Sequence, residues 1–233
     1  MKENYMPLDE ALKVISKDRE RTNIMRKYEQ KTIAYLVQYV PSFISSNMLT
    51  GIGLVGNLIL GLSFVLGAYY SPYFLLIGIF GSIVNWYGDS LDGRLAYFRK
   101  KSRKWYGFCL DITIDLIGIT AIGVGFIVYL GKELGLIGYS FIVMYAMAMI
   151  ITLLRYKVTD KYSIDSGLLG PTEVRIVICL ALVLEVIFNG TFLYFAIIST
   201  LILLFSNIKD IMSLLKLADI RDIQEHENTD KSI

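Results

Sequence analysis

Long apolar stretches, separated by short polar connections, make up most of the chain from residue 48 to residue 208. A helix that crosses a bilayer needs about 20 predominantly apolar residues. The pattern predicts an all-α integral membrane protein with six spans. We place these spans at residues 48–69, 73–97, 107–130, 135–155, 174–189 and 191–208.

The segment before the first span is polar and amphipathic, and it is too long for a cleavable signal peptide. Charged and apolar residues alternate at helical spacing over residues 8–20, and a second such piece runs from 28 to 39. The second piece has one apolar face, formed by Ile33, Leu36, Val37 and Val40. We predict an N-terminal amphipathic helix that lies in the membrane interface, packs against the bundle, or does both. Pro41 ends it, and residues 45–47 supply capping groups for the first span.

The basic residues are unevenly distributed among the connections. Of the 23 Lys and Arg residues, all except Lys132 lie in the N-terminal segment, the 94–104 region, the 155–175 connection or the C-terminal tail. The positive-inside rule then places both termini on the cytoplasmic side of the inner membrane. We therefore divide the chain into a cytoplasmic segment (1–47), a membrane domain (48–208) and a charged cytoplasmic tail (209–233), which we expect to be loosely ordered after Ala218.

Composition supports a membrane location. The chain is 55% hydrophobic and 19% charged, and its mean hydropathy is +0.53. These values exclude an ordinary soluble domain of 233 residues. The net charge of +2 carries little information by itself.

Four aspartates lie within the predicted spans: Asp89, Asp92, Asp111 and Asp115. Each such carboxylate costs roughly 2.5–3.5 kcal/mol near the bilayer centre, so a set of four indicates a functional site. The first two share one helix face at spacing i, i+3, and the last two share another at i, i+4. Two antiparallel neighbouring helices can therefore direct all four carboxylates into one cavity on the cytoplasmic side.

Converging carboxylates repel one another unless cations neutralise them. Hard divalent ions with oxygen ligands, Mg²⁺ or Mn²⁺, suit an all-aspartate site, and the absence of His and Cys argues against zinc. Two ions that hold phosphates are a common arrangement for phosphoryl transfer. Two alternatives remain open: a cation-transport path, or structural carboxylates paired with Arg94, Arg99 or Arg103.

The spacing of these residues resembles the signature of the CDP-alcohol phosphotransferases. The matching positions are Asp89-x-x-Asp92-Gly93-x-x-Ala96, followed by Gly107-x-x-x-Asp111-x-x-x-Asp115. The segment from Pro41 to Gly51, with Ile44, Asn47 and Thr50, is similar to the family's segment before its first span. The resemblance covers residues 30 to 208 and is closest to a bacterial branch related to choline/ethanolamine phosphotransferases.

The resemblance implies a Mg²⁺-dependent enzyme of phospholipid biosynthesis, a CDP-alcohol phosphatidyltransferase. It would transfer a phosphatidyl or phospho-alcohol group from a CDP-linked donor to an alcohol or lipid acceptor and release CMP. The enzyme would lie among membrane lipids and form a homodimer with a second copy of the chain. It would not bind nucleic acid. The four aspartates would hold two Mg²⁺ or Mn²⁺ ions, and Asp115 would also be the general base. The nucleotide would bind at Gly93, Ala96, Gly107, Asn47 and Thr50.

The chain also departs from the family pattern. Tyr97 stands where the family usually has Arg after the alanine, which raises the alternative of a catalytically weakened member. Glu173 matches a glutamate with a base-like role in the choline/ethanolamine enzymes, but it also fits a helix N-terminal charge favoured by the helix dipole. Arg155 and Arg175 are interpreted as interfacial anchors or as ligands of an acceptor phosphate.

Overall fold

The computed structural model describes residues 6–15, 25–160 and 171–230, and these are helical with short connections and no strand. Predicted features at residues 16–20 and at Gly170 lie outside the described residues. The helices are α1 (Leu8–Ile15), α2 (Arg26–Leu36), α3 (Ser46–Tyr69), α4 (Leu75–Phe98), α5 (Lys104–Thr159), α6 (Pro171–Ile187) and α7 (Thr191–Asp230). Short 3₁₀ turns at Val37–Tyr39 and Pro72–Phe74 follow α2 and precede α4.

Four helical stretches of the described chain are long and apolar enough to cross a membrane: Ser46–Tyr69, Pro72–Phe98, Lys104–Thr159 and Thr191–His226. They indicate a membrane protein. The third stretch covers two of the predicted spans, and α6 covers another with 17 residues. The six-span topology stays a prediction.

The 56-residue helix α5 is interrupted once, at Gly131, which has φ 76° and ψ −179°. This conformation is open to glycine and costly for residues with a Cβ atom. The predicted connection at residues 131–135 is therefore a single-residue break, and the helix resumes immediately after it. Each part of α5 retains the length of one membrane span.

The predicted apolar face of the N-terminal segment packs against the bundle. Ile33, Val37 and Val40 are buried in one cluster with Leu91 and Leu95 of α4. The Arg94 guanidinium, only 2% exposed, donates a hydrogen bond to the backbone carbonyl of Ile15 at the end of α1. Three of the four residues of this face are thus buried against the bundle, and contact with the membrane interface stays a prediction.

Helices α3 and α4 approach each other at backbone distance through glycines. A Cβ atom at Gly88 would lie 2.3 Å from the backbone nitrogen of Gly53, and one at Gly56 would lie 2.3 Å from that of Asn85. Ser45 caps α3 as predicted, because its hydroxyl accepts a hydrogen bond from the Met48 N–H at 3.2 Å. This close packing fixes the helix that carries the first two aspartates.

The C-terminal segment differs from the prediction, because α7 continues as a helix to Asp230. The Arg221 guanidinium donates to the backbone carbonyls of Lys157 and Val158 at 2.9 and 2.8 Å, at the end of α5. It also pairs with Asp160 and with Glu225. The expectation of a loosely ordered tail after Ala218 was wrong for residues 219–230, which are helical, and the Arg221 contacts tie this helix to α5.

Candidate active site

Three of the four predicted aspartates form one group. Asp89 on α4, and Asp111 and Asp115 on α5, each offer a carboxylate oxygen, and these oxygens lie within 4.8 Å of one another. All three residues are half-buried. Asp111 and Asp115 stand one helical turn apart on the same face. Helix α3 packs against both α4 and α5, and so holds the two carboxylate-bearing helices together.

These carboxylates border a small cavity of about 10 Å³, which we call the small cavity; it is also lined by Asn57 and Asn85. Its volume corresponds to about one water-sized sphere. Carboxylates and amide oxygens are the ligands that Mg²⁺ and Mn²⁺ prefer, and no His or Cys lines the cavity among the described residues. The residues present therefore fit a hard divalent cation.

The fourth aspartate, Asp92, borders the same small cavity but is held differently. It is 9% exposed, and the Thr50 hydroxyl donates to its Oδ2 at 2.6 Å. The backbone N–H of Gly93 donates to the other carboxylate oxygen, and the Ser46 hydroxyl donates to the Asp92 carbonyl at 2.8 Å. A carboxylate oxygen has further lone pairs, so these bonds orient Asp92 and leave it able to coordinate a metal.

Asp89 pairs with Arg175, a residue that the sequence left open as an interfacial anchor or as a ligand of an acceptor phosphate. The guanidinium of Arg175, on α6, forms an ion pair with the Asp89 carboxylate. Its Nε donates to Asn85 Oδ1 at 2.8 Å, and Asn85 Nδ2 donates to the Gly53 carbonyl at 3.1 Å. Arg175 thus offsets part of the negative charge, and Asn85 fixes its orientation relative to α3.

A second cavity, of about 1150 Å³, adjoins the carboxylates, and we call it the large cavity. It shares Thr50, Asp92 and Asp111 with the small cavity. A Cβ atom at Gly107 would meet no atom within 4 Å. All five residues predicted to contact the nucleotide line it: Asn47, Thr50, Gly93, Ala96 and Gly107.

The connection from α4 to α5 forms a basic rim on the large cavity, made of Arg99, Lys101, Arg103 and Lys104. The Arg99 guanidinium donates to the backbone carbonyls of Val40, Pro41 and Ile44, which fixes the chain entering α3. Tyr97, the departure from the family pattern, also lines this cavity.

Three side chains on this rim contact one another. Arg103 Nη2 donates to Asn47 Oδ1 at 3.1 Å, and Asn47 Nδ2 donates to the Tyr106 hydroxyl at 3.2 Å. The Arg103 guanidinium carbon lies 3.9 Å from the centre of the Tyr106 ring, a cation–π contact. The predicted nucleotide residue Asn47 is therefore held at both ends of its amide.

The structure places Glu173 at the start of α6, near the N-terminal segment. It is buried, and its Oε1 accepts a hydrogen bond from the Met25 backbone N–H at 2.8 Å. The neighbouring Thr172 hydroxyl donates to Glu29 at 2.8 Å. Neither described cavity is lined by Glu173. Its role as a second base stays a prediction.

Comparison with known proteins gives a family match that extends beyond the aspartate signature at residues 89–115. The model of the CDP-alcohol phosphatidyltransferase family matches residues 43–204, more than half of the chain. The chain belongs to this family. No curated protein matches it. Membership in the CDP-alcohol phosphatidyltransferases implies a transferase of phospholipid head groups that is typically dependent on a divalent metal.

The sequence predicted that the aspartates lie together but gave no indication that Asn85 is the partner of Arg175. Asn85 precedes Asp89 by four residues, so both side chains share one face of α4. That spacing is a usable signal for a polar residue beside the carboxylates. The pairing with Arg175 depends on how α6 packs against α4, which spacing does not reveal.

Proposed function

We propose that the protein is a Mg²⁺-dependent CDP-alcohol phosphotransferase of phospholipid biosynthesis. It would take a phosphatidyl or phospho-alcohol group from a CDP-linked donor, pass it to an acceptor hydroxyl and release CMP. The observation that supports this most directly is the junction of the two cavities. A space of about 1150 Å³ meets the three-carboxylate group through the shared residues Thr50, Asp92 and Asp111.

The carboxylates would bind divalent cations at the end of this space. Asp89, Asp111 and Asp115 offer oxygens close enough to share one ion, and Asp92 borders the same position. We propose two ions, Mg²⁺ or Mn²⁺. When bound, they would neutralise the diphosphate and stabilise the charge that develops on the leaving phosphate.

The cytidine nucleotide would occupy the large cavity. Gly93, Ala96 and Gly107 present little or no side chain there, so a ligand can approach the helix backbones. Asn47 and Thr50 supply polar atoms to the same cavity from α3. The basic rim would attract an anionic donor from solution or from the membrane surface.

Asp115 is our candidate for the general base. Its carboxylate would accept the proton of the acceptor hydroxyl, whose oxygen then forms a bond to the β-phosphorus of the donor. The bond from that phosphorus to the bridging oxygen breaks, and CMP leaves with the electron pair. Glu173 remains a second candidate for the base.

We further propose a setting for this reaction: the inner membrane, with both termini and the active site on the cytoplasmic side, in a homodimer. Uneven placement of Lys and Arg supports the orientation. The basic connection between α4 and α5 lines the large cavity, so the proposed orientation exposes the cavity to cytoplasmic nucleotides.

The decisive experiment measures CMP release by the purified full-length protein with CDP-ethanolamine, CDP-choline and CDP-diacylglycerol, each with a set of acceptors. Mg²⁺ should support turnover with one donor, and EDTA should abolish it. Asp115→Asn should reduce the rate by at least about 10²-fold, the lower range for loss of a general base. If no donor yields CMP, or if Asp115→Asn turns over like the wild type, the assignment is wrong. Cation flux through liposomes without CMP release would then favour the transport alternative.

A further inference from the structure

The Arg103–Asn47–Tyr106 group lines the large cavity together with Asp92 and Asp111. Arg103 immediately precedes α5, and Gly107, Asp111 and Asp115 follow it at intervals of four residues. At 1.5 Å per residue, Arg103 is about 12 Å along the helix from Asp111. These residues form a stripe that winds slowly around α5.

This separation determines which part of a nucleotide can reach Arg103. If the diphosphate is bound at Asp111, the ribose lies next along the stripe, near the open space at Gly107. The base is the part furthest from the phosphates, so it would lie further along the stripe, toward Arg103.

The Arg103–Asn47–Tyr106 group orients the Arg103 guanidinium in addition to supplying its positive charge. Tyr106 supports the plane of the guanidinium, and Asn47 accepts from one of its five N–H groups. Arg99, the other guanidinium on the rim, is bonded to three backbone carbonyls. Arg103 is therefore the guanidinium on this rim whose described contacts leave N–H groups for a ligand.

We propose that Arg103 is a specificity-determining residue that recognises cytosine, an inference that rests on the proposed function. Its parallel N–H groups would donate to O2 and N3, two adjacent acceptors on the edge of cytosine. The second lone pair of Asn47 Oδ1 would accept from the exocyclic amine. Uracil presents an N–H at position 3, which would face a donor, and a carbonyl at position 4, which would face Asn47 Oδ1. The group therefore discriminates CDP from UDP.

The test measures the Kd of CDP and of UDP for the full-length protein in detergent with Mg²⁺, by calorimetry. Wild type should prefer CDP by about 5- to 150-fold, the range for a good bidentate base contact. Arg103→Gln should lower this preference about tenfold or more, mainly by weakening CDP. Arg103→Lys should do the same, because it keeps the charge and loses the planar fork.

Lys101→Gln is the matched control, since it removes one positive charge from the same rim. It should weaken CDP and UDP equally and leave their ratio unchanged. The inference is overturned if wild type does not distinguish the two nucleotides, if Arg103→Lys retains the preference, or if Lys101→Gln reduces it as much. Should the Arg103 variants not fold, Tyr106→Leu removes the support of the guanidinium and must lower the same ratio.

Nucleotide binding and turnover separate this inference from the proposed function. CMP release from a CDP-alcohol, together with an unchanged ratio in the Arg103 variants, would refute the inference and leave the function standing. A preference for CDP that depends on Arg103, without turnover of any CDP-alcohol, would refute the function and support the inference.

Discussion

The repulsion within the three-carboxylate group allows a quantitative prediction of how Asp111→Asn changes the stability of the protein. Two unit charges 4.8 Å apart, the upper limit of the separations in this group, repel by about 3.5 kcal/mol at an effective dielectric constant of 20. Asp111 takes part in two of the three repulsive pairs, so at this separation its neutralisation relieves about 7 kcal/mol of repulsion in the metal-free protein, and more where the oxygens lie closer. Arg175 lowers this figure because it already offsets the charge of Asp89.

The assay is thermal unfolding of the purified protein in detergent, with EDTA and with Mg²⁺. In EDTA, Asp111→Asn should unfold at a higher temperature than wild type, because the repulsion is reduced. Mg²⁺ at 100 times its Kd should stabilise wild type by about 2.7 kcal/mol, by mass action. The variant should lose most of this response, and its CMP release should fall by more than the 10- to 100-fold typical of residues that only support a metal ligand.

Asp219→Asn is the control, since it removes a carboxylate from the exposed end of α7, outside the site. It should keep the wild-type response to Mg²⁺. Two results would refute the reasoning. One is a wild-type protein that Mg²⁺ does not stabilise. The other is an Asp111→Asn variant that is stabilised as strongly as wild type while remaining active.

Three further substitutions test the surroundings of the site. Arg175→Gln should lower the unfolding temperature in EDTA, because Asp89 loses its cation, and Mg²⁺ should restore most of the difference. Gly88→Ala should destabilise the protein by about 1–3 kcal/mol or more through collision with α3. Gly51→Ala, with no atom within 4 Å of the new Cβ, should not destabilise it in the same unfolding assay and should stabilise it by up to about 1 kcal/mol through helix propensity. Glu185→Gln should lower the unfolding temperature while CMP release below that temperature stays unchanged, since this buried carboxylate accepts three hydrogen bonds worth about 1.5–3 kcal/mol each.

Hydrophobic periodicity predicted the helices well where burial and sequence pattern coincide. The predicted face that includes Ile33 and Val37 is buried against α4. Periodicity was less successful at two places, the connection after Gly131 and the C-terminal tail. The polar residues after Gly131 suggested a loop, but a single glycine accommodates the break. The charged tail suggested disorder, but Arg221 binds the end of α5, a contact between residues over 60 positions apart.

In the site too, local spacing predicted some residues, whereas contacts between distant parts of the chain could not be predicted. Spacing identifies the aspartates because helical geometry alone places them on two faces. It does not identify Arg175, whose pairing with Asp89 spans 86 positions. Glu185 was missed as well. Its partners Tyr129 and Phe192 come from two other helices, and together they satisfy a buried charge at a helix turn.

Arg103, which would recognise the base, immediately precedes α5, and α5 itself carries two of the carboxylates at which phosphoryl transfer would occur. From Arg103 to Asp115 the chain rises about 18 Å without a break in the helix, so the distance between the two groups is fixed by backbone hydrogen bonds. A flexible loop between them would allow a nucleotide to bind its base without placing its phosphates at the carboxylates. Because α3 packs directly on both α4 and α5, the aspartates of α4 are held in a fixed position relative to those of α5. Under the two proposals above, a donor whose base is held at Arg103 would be constrained to present its diphosphate at Asp111, and binding energy at the base would be converted into positioning at the reacting phosphorus.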